Sequence, residues 1–193
     1  MNRAQQKLTT REKLFDSAII LFNKQGIKQT KIIDIAQHAN VSTGTFYVHF
    51  KSKEEIISSI YYEEFNRFMF TKIKSINQNE LNLRTYLLKI GVLELKFADE
   101  KVGVEITTVA FESNLKTNMT IIGNHSKKRS FSHEIKKTID RSTSLDSEYK
   151  TVVFKEFETI IRGIMMTWCF NNGKENIVDF GTALLNRYLI NIK

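Results

Sequence analysis

Val41-Ser42-Thr43-Gly44-Thr45-Phe46-Tyr47-Val48-His49-Phe50 is the stretch on which the reading of this chain turns. Two phenylalanines stand four residues apart. On a helix that spacing puts both on one face, so Phe46 and Phe50 can anchor the segment to a small core. Thr43, Thr45, Tyr47 and His49 then occupy the other faces. Their hydroxyl and imidazole groups suit phosphate oxygens and base edges. Gly44 has no side chain and lets backbone come close to a partner. Taken in isolation, the stretch equally fits an amphipathic turn with a polar, solvated face.

The residues before it, Thr30-Lys31-Ile32-Ile33-Asp34-Ile35-Ala36-Gln37-His38-Ala39-Asn40, shift that balance. Thr30 can cap a helix whose apolar face is Ile32, Ile35, Ala36 and Ala39. Asn40 stands where that helix must stop, and asparagine tolerates the left-handed conformation that ends helices. Ser42 can cap the next helix. Helix, tight turn and second helix make a helix-turn-helix, whose second helix enters the major groove of DNA.

In these residues the chain resembles the TetR family of transcriptional regulators. The resemblance rests on Thr30, Asp34-Ile35-Ala36, Ala39, Val41-Ser42, Gly44-Thr45-Phe46-Tyr47, His49-Phe50 and Ser52-Lys53-Glu54-Glu55, within residues 9–56. Asn40 departs from it, since the family usually has glycine there; asparagine can adopt the same backbone.

The resemblance implies an all-α fold with two parts. Residues 1–53 form a three-helix DNA-binding domain, and residues 54–193 a helical effector-binding and dimerisation domain. The expected DNA-binding residues are Thr30, Lys31, Ser42, Thr43, Gly44, Thr45, Tyr47, His49 and Lys53. Thr43 lies at the base-reading end of the second helix, while Tyr47, His49 and Lys53 are better placed for phosphate. The partners implied are double-stranded DNA carrying a palindromic operator, a second copy of the chain, and a small effector whose binding releases DNA. The runner-up is a constitutive or architectural DNA-binding protein without an effector.

Charge agrees with a polyanion partner. The whole chain carries +8, and residues 1–53 hold nine basic side chains against three acidic ones. The basic ones are Arg3, Lys7, Arg11, Lys13, Lys24, Lys28, Lys31, Lys51 and Lys53. Such a balance favours nucleic acid, although a basic soluble surface would look the same.

Catalytic and metal chemistry find little support. His38, His49, His125 and His133 lack zinc-ligand spacing, and neither a Gly-rich phosphate loop nor a nucleophile elbow occurs. No catalytic residue, metal or cofactor is therefore expected. Cys169 is the single cysteine, follows Trp168 on an apolar helix, and reads as a buried thiol. No signal-like or membrane-spanning apolar run occurs, so a cytoplasmic protein is expected. Lys127-Lys128-Arg129 reads as a solvated charge run before it reads as a second anionic contact.

In chain order, Met1–Leu8 is expected to be a mobile basic arm. Thr9 and Glu12 fit a capping box opening the first helix, and Gly26 ends it. Ser52 and Glu55 open a long fourth helix, running toward Ile76. A fifth takes in Leu83 to Phe97. Residues 101–120 alternate somewhat like a strand, but a helix is the better fit without partner strands. Further helices come near Ser132–Arg141, from Tyr149 to Trp168, and from Ile177 to Leu189.

The last two have apolar faces wider than one contact needs. TetR-like proteins pair two such helices with their symmetry mates, which implies a dimer interface of Phe157, Ile161, Ile164, Phe180, Leu184 and Tyr188. Intrachain core is the competing reading. Phenylalanine is 14 of 193 residues. Phe65, Phe68, Tyr86, Phe97, Phe111 and Trp168, with Asn114, fall on segments that line the effector pocket in TetR-like folds. Those residues imply a largely apolar or aromatic effector.

Overall fold

Helix α1 (Arg3–Gln25) begins six residues before the expected cap at Thr9. Asn2 caps it by accepting the Ala4 N–H at 2.8 Å. Ala4, Gln5, Gln6, Lys7 and Leu8 are all strong helix formers, so nothing delays the helix until Thr9. Thr9 sits inside it and donates its hydroxyl to the Gln5 carbonyl. The computed structural model describes residues 2–74, 76, 81–120 and 130–192. Among these, every regular element is helical. The Lys127–Arg129 run lies outside them.

Gly26, at φ 81°, ends α1 as expected, and Ile27 folds back into the core. Helix α2 (Ile32–His38) and helix α3 (Thr43–His49) come next. The turn between them is held by the Val41 N–H donating to the Ala36 carbonyl at 2.9 Å, with Asn40 at φ 55°. Asparagine thus supplies the left-handed residue that glycine would otherwise provide.

Helix α4 (Lys53–Ser59), a π-helical turn at Ile60–Glu64 and helix α5 (Phe65–Ile73) form one continuous helical path. This is the long fourth helix, interrupted by one widened turn. Helix α6 (Leu83–Lys96) also runs into a π-helical turn, Phe97–Val102, which Gly103 stops at φ 83°. Helix α7 (Val104–Thr120) settles the strand-like stretch as helix. Then come α8 (Ser130–Arg141), α9 (Ser147–Phe170) and α10 (Ile177–Tyr188). Asn172 and Gly173, both at positive φ, end α9.

Two apolar cores result. The first joins Leu14, Phe15, Phe22, Ile35, Phe46, Phe50, Ile56 and Ile60 to Phe97, Val102, Ile106 and Ala110. The second is built from α5, α6, α8, α9 and α10. The expected boundary at residue 53 is therefore crossed by packing, since the π-turn after α6 and the start of α7 complete the first core.

The second core corrects several expectations. Phe157, Ile161 and Ile164 are 0%, 3% and 2% exposed, so they fill their own protomer and cannot meet a partner. The aromatic residues expected around an effector pack on one another. Phe65 meets Phe97 and Phe131 with ring centroids 5.3 and 5.8 Å apart, and Phe68 meets Phe97 at 5.5 Å. Tyr86 and Trp168 are buried, and the Trp168 indole donates to the Glu175 carbonyl at 3.0 Å. Phe111 and Asn114 are half-buried. Burial of large rings stabilises a core by removing apolar area from water, and here that role consumes them.

Helices α6 and α10 touch where each has a glycine. A methyl added at Gly181 would clash with Leu95 Cδ1 and lie 3.1 Å from Ile164 Cγ2. Leu95 is wholly buried and has little room to move. Gly181→Ala should therefore cost about 1–3 kcal/mol through overpacking, read as a lower urea midpoint with an unchanged slope. Stability equal to the wild type would show that the two helices part freely.

Candidate nucleic-acid interface

Helix α3 is seven residues long, too short to be stable by itself in water. Its position comes from three sources. Phe46 and Phe50 are 0% and 1% exposed and pack against each other, with Phe15 against Phe50. The Ser42 hydroxyl accepts the Thr45 N–H at 3.0 Å, capping the N-terminus. Arg11 of α1 closes the other end.

The Arg11 guanidinium lies 4.1 Å from the Phe50 ring centroid and donates to the His49 carbonyl at 2.8 Å. It also pairs with the Glu63 carboxylate through two bonds of 2.5 Å. A cation at a helix C-terminus complements the helix dipole. Arg11 thus holds the C-terminal end of α3 in place.

Lys53 is committed inward as well. Its ammonium donates to the Ile27 carbonyl at 2.7 Å and the Thr30 carbonyl at 2.9 Å, bracing the loop between α1 and α2. The same loop is held from above by Glu105, in the first turn of α7, whose carboxylate accepts the Ile27 N–H at 3.0 Å. Thr30 is 0% exposed and donates its hydroxyl to the Gly26 carbonyl at 2.8 Å. It neither caps α2 nor reaches solvent. Asp34 caps instead, accepting the Lys31 N–H at 2.9 Å. In this structure the Thr30 hydroxyl and the Lys53 ammonium each satisfy carbonyls of one loop.

The remaining expected residues share one surface. Lys31, Ser42, Gly44 and Tyr47 are exposed; Thr43 and Thr45 are half-buried, and the Thr45 hydroxyl bonds Ser42 at 2.9 Å. His49 is half-buried, with Nδ1 lacking a hydrogen-bond partner among the described residues. Burial holds its proton affinity below the ordinary value, and the charges of Arg11 and Lys7 lower it further. The imidazole is neutral at pH 7 and offers no charge to phosphate. Seven of the nine basic residues, all but Arg11 and Lys53, remain exposed on this unit.

The sequence pattern had passed over Arg11, Glu63, Glu105 and Val48. The first three act across long sequence separations. Val48 is an apolar residue 72% exposed on α3, a departure from burial that the helical spacing of Phe46 and Phe50 could have flagged.

Residues 14–60 match the family model described as bacterial regulatory proteins, tetR family. Over those residues the chain is similar to the DNA-binding segment of TetR-family regulators. The chain is 30% identical over 76 residues to an uncharacterised helix-turn-helix regulator of Haemophilus influenzae, covering 39% of this chain and 41% of that protein. It is 28% identical over 168 residues to the negative regulator IcaR of the Staphylococcus aureus biofilm operon icaADBC, covering 82% and 81%. Thermus thermophilus FadR, a TetR-family repressor solved with lauroyl-CoA, shares the fold with a TM-score of 0.62 at 16% identity, over 93% of each chain. The chain spans 26–41% of the length of the first curated relatives it matches.

Lys31 is exposed while Lys53 is committed to loop carbonyls, and the two are expected to differ in role. Lys31→Ala should weaken binding to all duplexes alike and reduce the slope of log affinity against log salt by roughly one. Lys53→Met should leave that slope unchanged and cost about 1.5–3 kcal/mol of stability, through loss of two charge-assisted bonds. A salt slope altered by the Lys53 change and unaltered by the Lys31 change would reverse the assignment.

Proposed function

We propose that this protein is a ligand-released repressor that binds a palindromic operator as a homodimer. The observation that carries the gating is the Glu105 contact. Helix α7 belongs by sequence to the effector half, yet its first turn holds the Ile27 N–H of the DNA-binding half. Helix α7 is tied to α4 and its π-turn as well, through the Ser58–Ser113 hydroxyl pair at 2.9 Å and a short bond between Tyr61 and Thr107. A ligand that shifts α7 moves α4 and the helix-turn-helix together. In a dimer this alters the separation of the two recognition helices, which must match the half-site spacing. The division at residues 53 and 54 is then one of roles, with the packing continuous across it.

For the dimer, the supporting observation is the outer face of α9 and α10. Val152 and Phe170 are 41% and 78% exposed on α9, and a Cβ built on Gly163 between them meets nothing within 4 Å. Phe180, Leu184 and Tyr188 of α10 are half-buried, and Ala183 is exposed. On this face Val152 and Phe170 flank exposed Glu156, Thr159 and Gly163, with Glu156 accepting from the Tyr188 hydroxyl, and the small residues at its middle suit close packing of a second copy. Gly163→Arg places a bulky cation in open space, so the protomer should stay folded. Analytical ultracentrifugation is expected to show a wild-type dimer and a monomeric variant; a wild type that sediments as monomer at micromolar concentration would end this reading.

For the effector, a groove of about 360 Å³ between α5, α6 and α10 replaces the pocket expected from the aromatic residues. Ile76, Leu88, Val92 and Leu93 give it apolar walls, with Lys72, Lys89, Lys96 and Thr182 beside them. Among the described residues the lining includes three lysines, of which Lys96 also pairs with Glu100 at 3.8 Å, and a ligand with an apolar body and a negative charge suits it. Dodecanoate below its micelle concentration should raise the thermal midpoint and release operator DNA, and Lys89→Glu should weaken both effects. Equal effects from uncharged dodecanol would refute the charge requirement. The constitutive DNA-binder stands as second reading, favoured by the mutual packing of Phe65, Phe68, Phe97 and Phe131 where a cavity was expected.

A further inference from the structure

We infer that Val48 reads the methyl group of a thymine in each half-site and so sets sequence preference at one base pair. The inference rests on the proposal that α3 enters the major groove. Phe46 and Phe50 mark the inward direction of this helix. At about 100° per residue, Gly44 and Val48 fall on the opposite side, one turn apart. They form the outermost stripe of α3, and Val48 is 72% exposed against 54% for Tyr47.

The chemistry of that stripe is specific. Valine cannot hydrogen-bond through its side chain, so it contributes nothing by donor or acceptor readout. The apolar feature that a major-groove base edge presents is the thymine C5-methyl. Gly44 has no Cβ, and a Cβ built there would come no nearer than 3.7 Å to Ser42 Oγ, so the stripe has a low profile. The helix backbone can then approach the bases closely enough for a short side chain to reach them. Valine is also stiff about χ1, and its position is fixed before contact. The polar groups of Ser42 and Tyr47 lie to either side of that stripe.

The test uses the full-length protein. The preferred duplex is selected from a randomised library, and each thymine is then replaced in turn by deoxyuridine, which removes the C5-methyl and nothing else. At one thymine per half-site, the replacement should weaken wild-type binding about fourfold, the worth of one buried methyl. Val48→Ala should bind the thymine and uracil duplexes equally; its exposure predicts a normal fold, checked by its unfolding midpoint. Two results would overturn the inference: every thymine replaced without loss, or a thymine-to-uracil ratio that Val48→Ala leaves intact. Failure of the wild type to select any duplex would instead remove the DNA-binding reading on which it stands.

Discussion

A seven-residue recognition helix cannot hold its own shape, and much of the N-terminal half exists to hold it. Nucleating a helix costs more than a single turn returns, so tertiary contacts must supply the difference. Here they come as a ring stack inside and a guanidinium at the exposed end. Phe15, Phe46 and Phe50 exclude water from one side. Arg11 lies over two of those rings and reaches the last carbonyl, while Glu63 fixes the guanidinium plane. The arginine is worth more here than a lysine, because a planar fork can stack, pair in two bonds and donate to a carbonyl together.

The second organising element is the pair of widened turns. Each π-turn adds a residue to the helical circuit and re-aims the segment beyond it. In the first, Glu63 reaches toward α1 and Tyr61 toward α7, while Glu64 is buried against Arg67. Burial raises the proton affinity of Glu64, and the Arg67 guanidinium opposes that rise. Arg67 in turn lies within 4 Å of Glu12 and Asp16 on α1. The helix that links the two halves is thereby tied on both flanks.

The features legible in the chain obey local rules. The Phe46–Phe50 spacing, the left-handed Asn40, the stop at Gly26 and the Asn171-Asn172-Gly173 end of α9 are each decided within a few residues. The start of α1 was misplaced because Thr9 and Glu12 form a plausible cap; the helix-forming Ala4–Leu8 stretch carries the helix past it to Asn2. Thr30 and Lys53 look like phosphate ligands in the motif, yet their partners lie in a loop that only the fold brings near. Periodicity likewise identifies α9 as broadly apolar without saying which stripe faces its own core. Phe157, Ile161 and Ile164 took the inside, and Val152, Gly163 and Phe170 were left outside. The π-turns carry no sequence signal in the residues that form them.

The loop from Gly26 to Thr30 is gripped from both halves of the molecule, by Lys53 on its carbonyls and Glu105 on an N–H. A contact of that kind has no preferred direction. If a ligand in the helical half lowers affinity for DNA by some factor, DNA must lower affinity for that ligand by the same factor, because both routes around the cycle end in one state. Under the proposed ligand-released repression, a protein seated on its operator would be a poorer sensor than the same protein free in solution. The ligand concentration at which it answered would then depend on how much DNA it was holding.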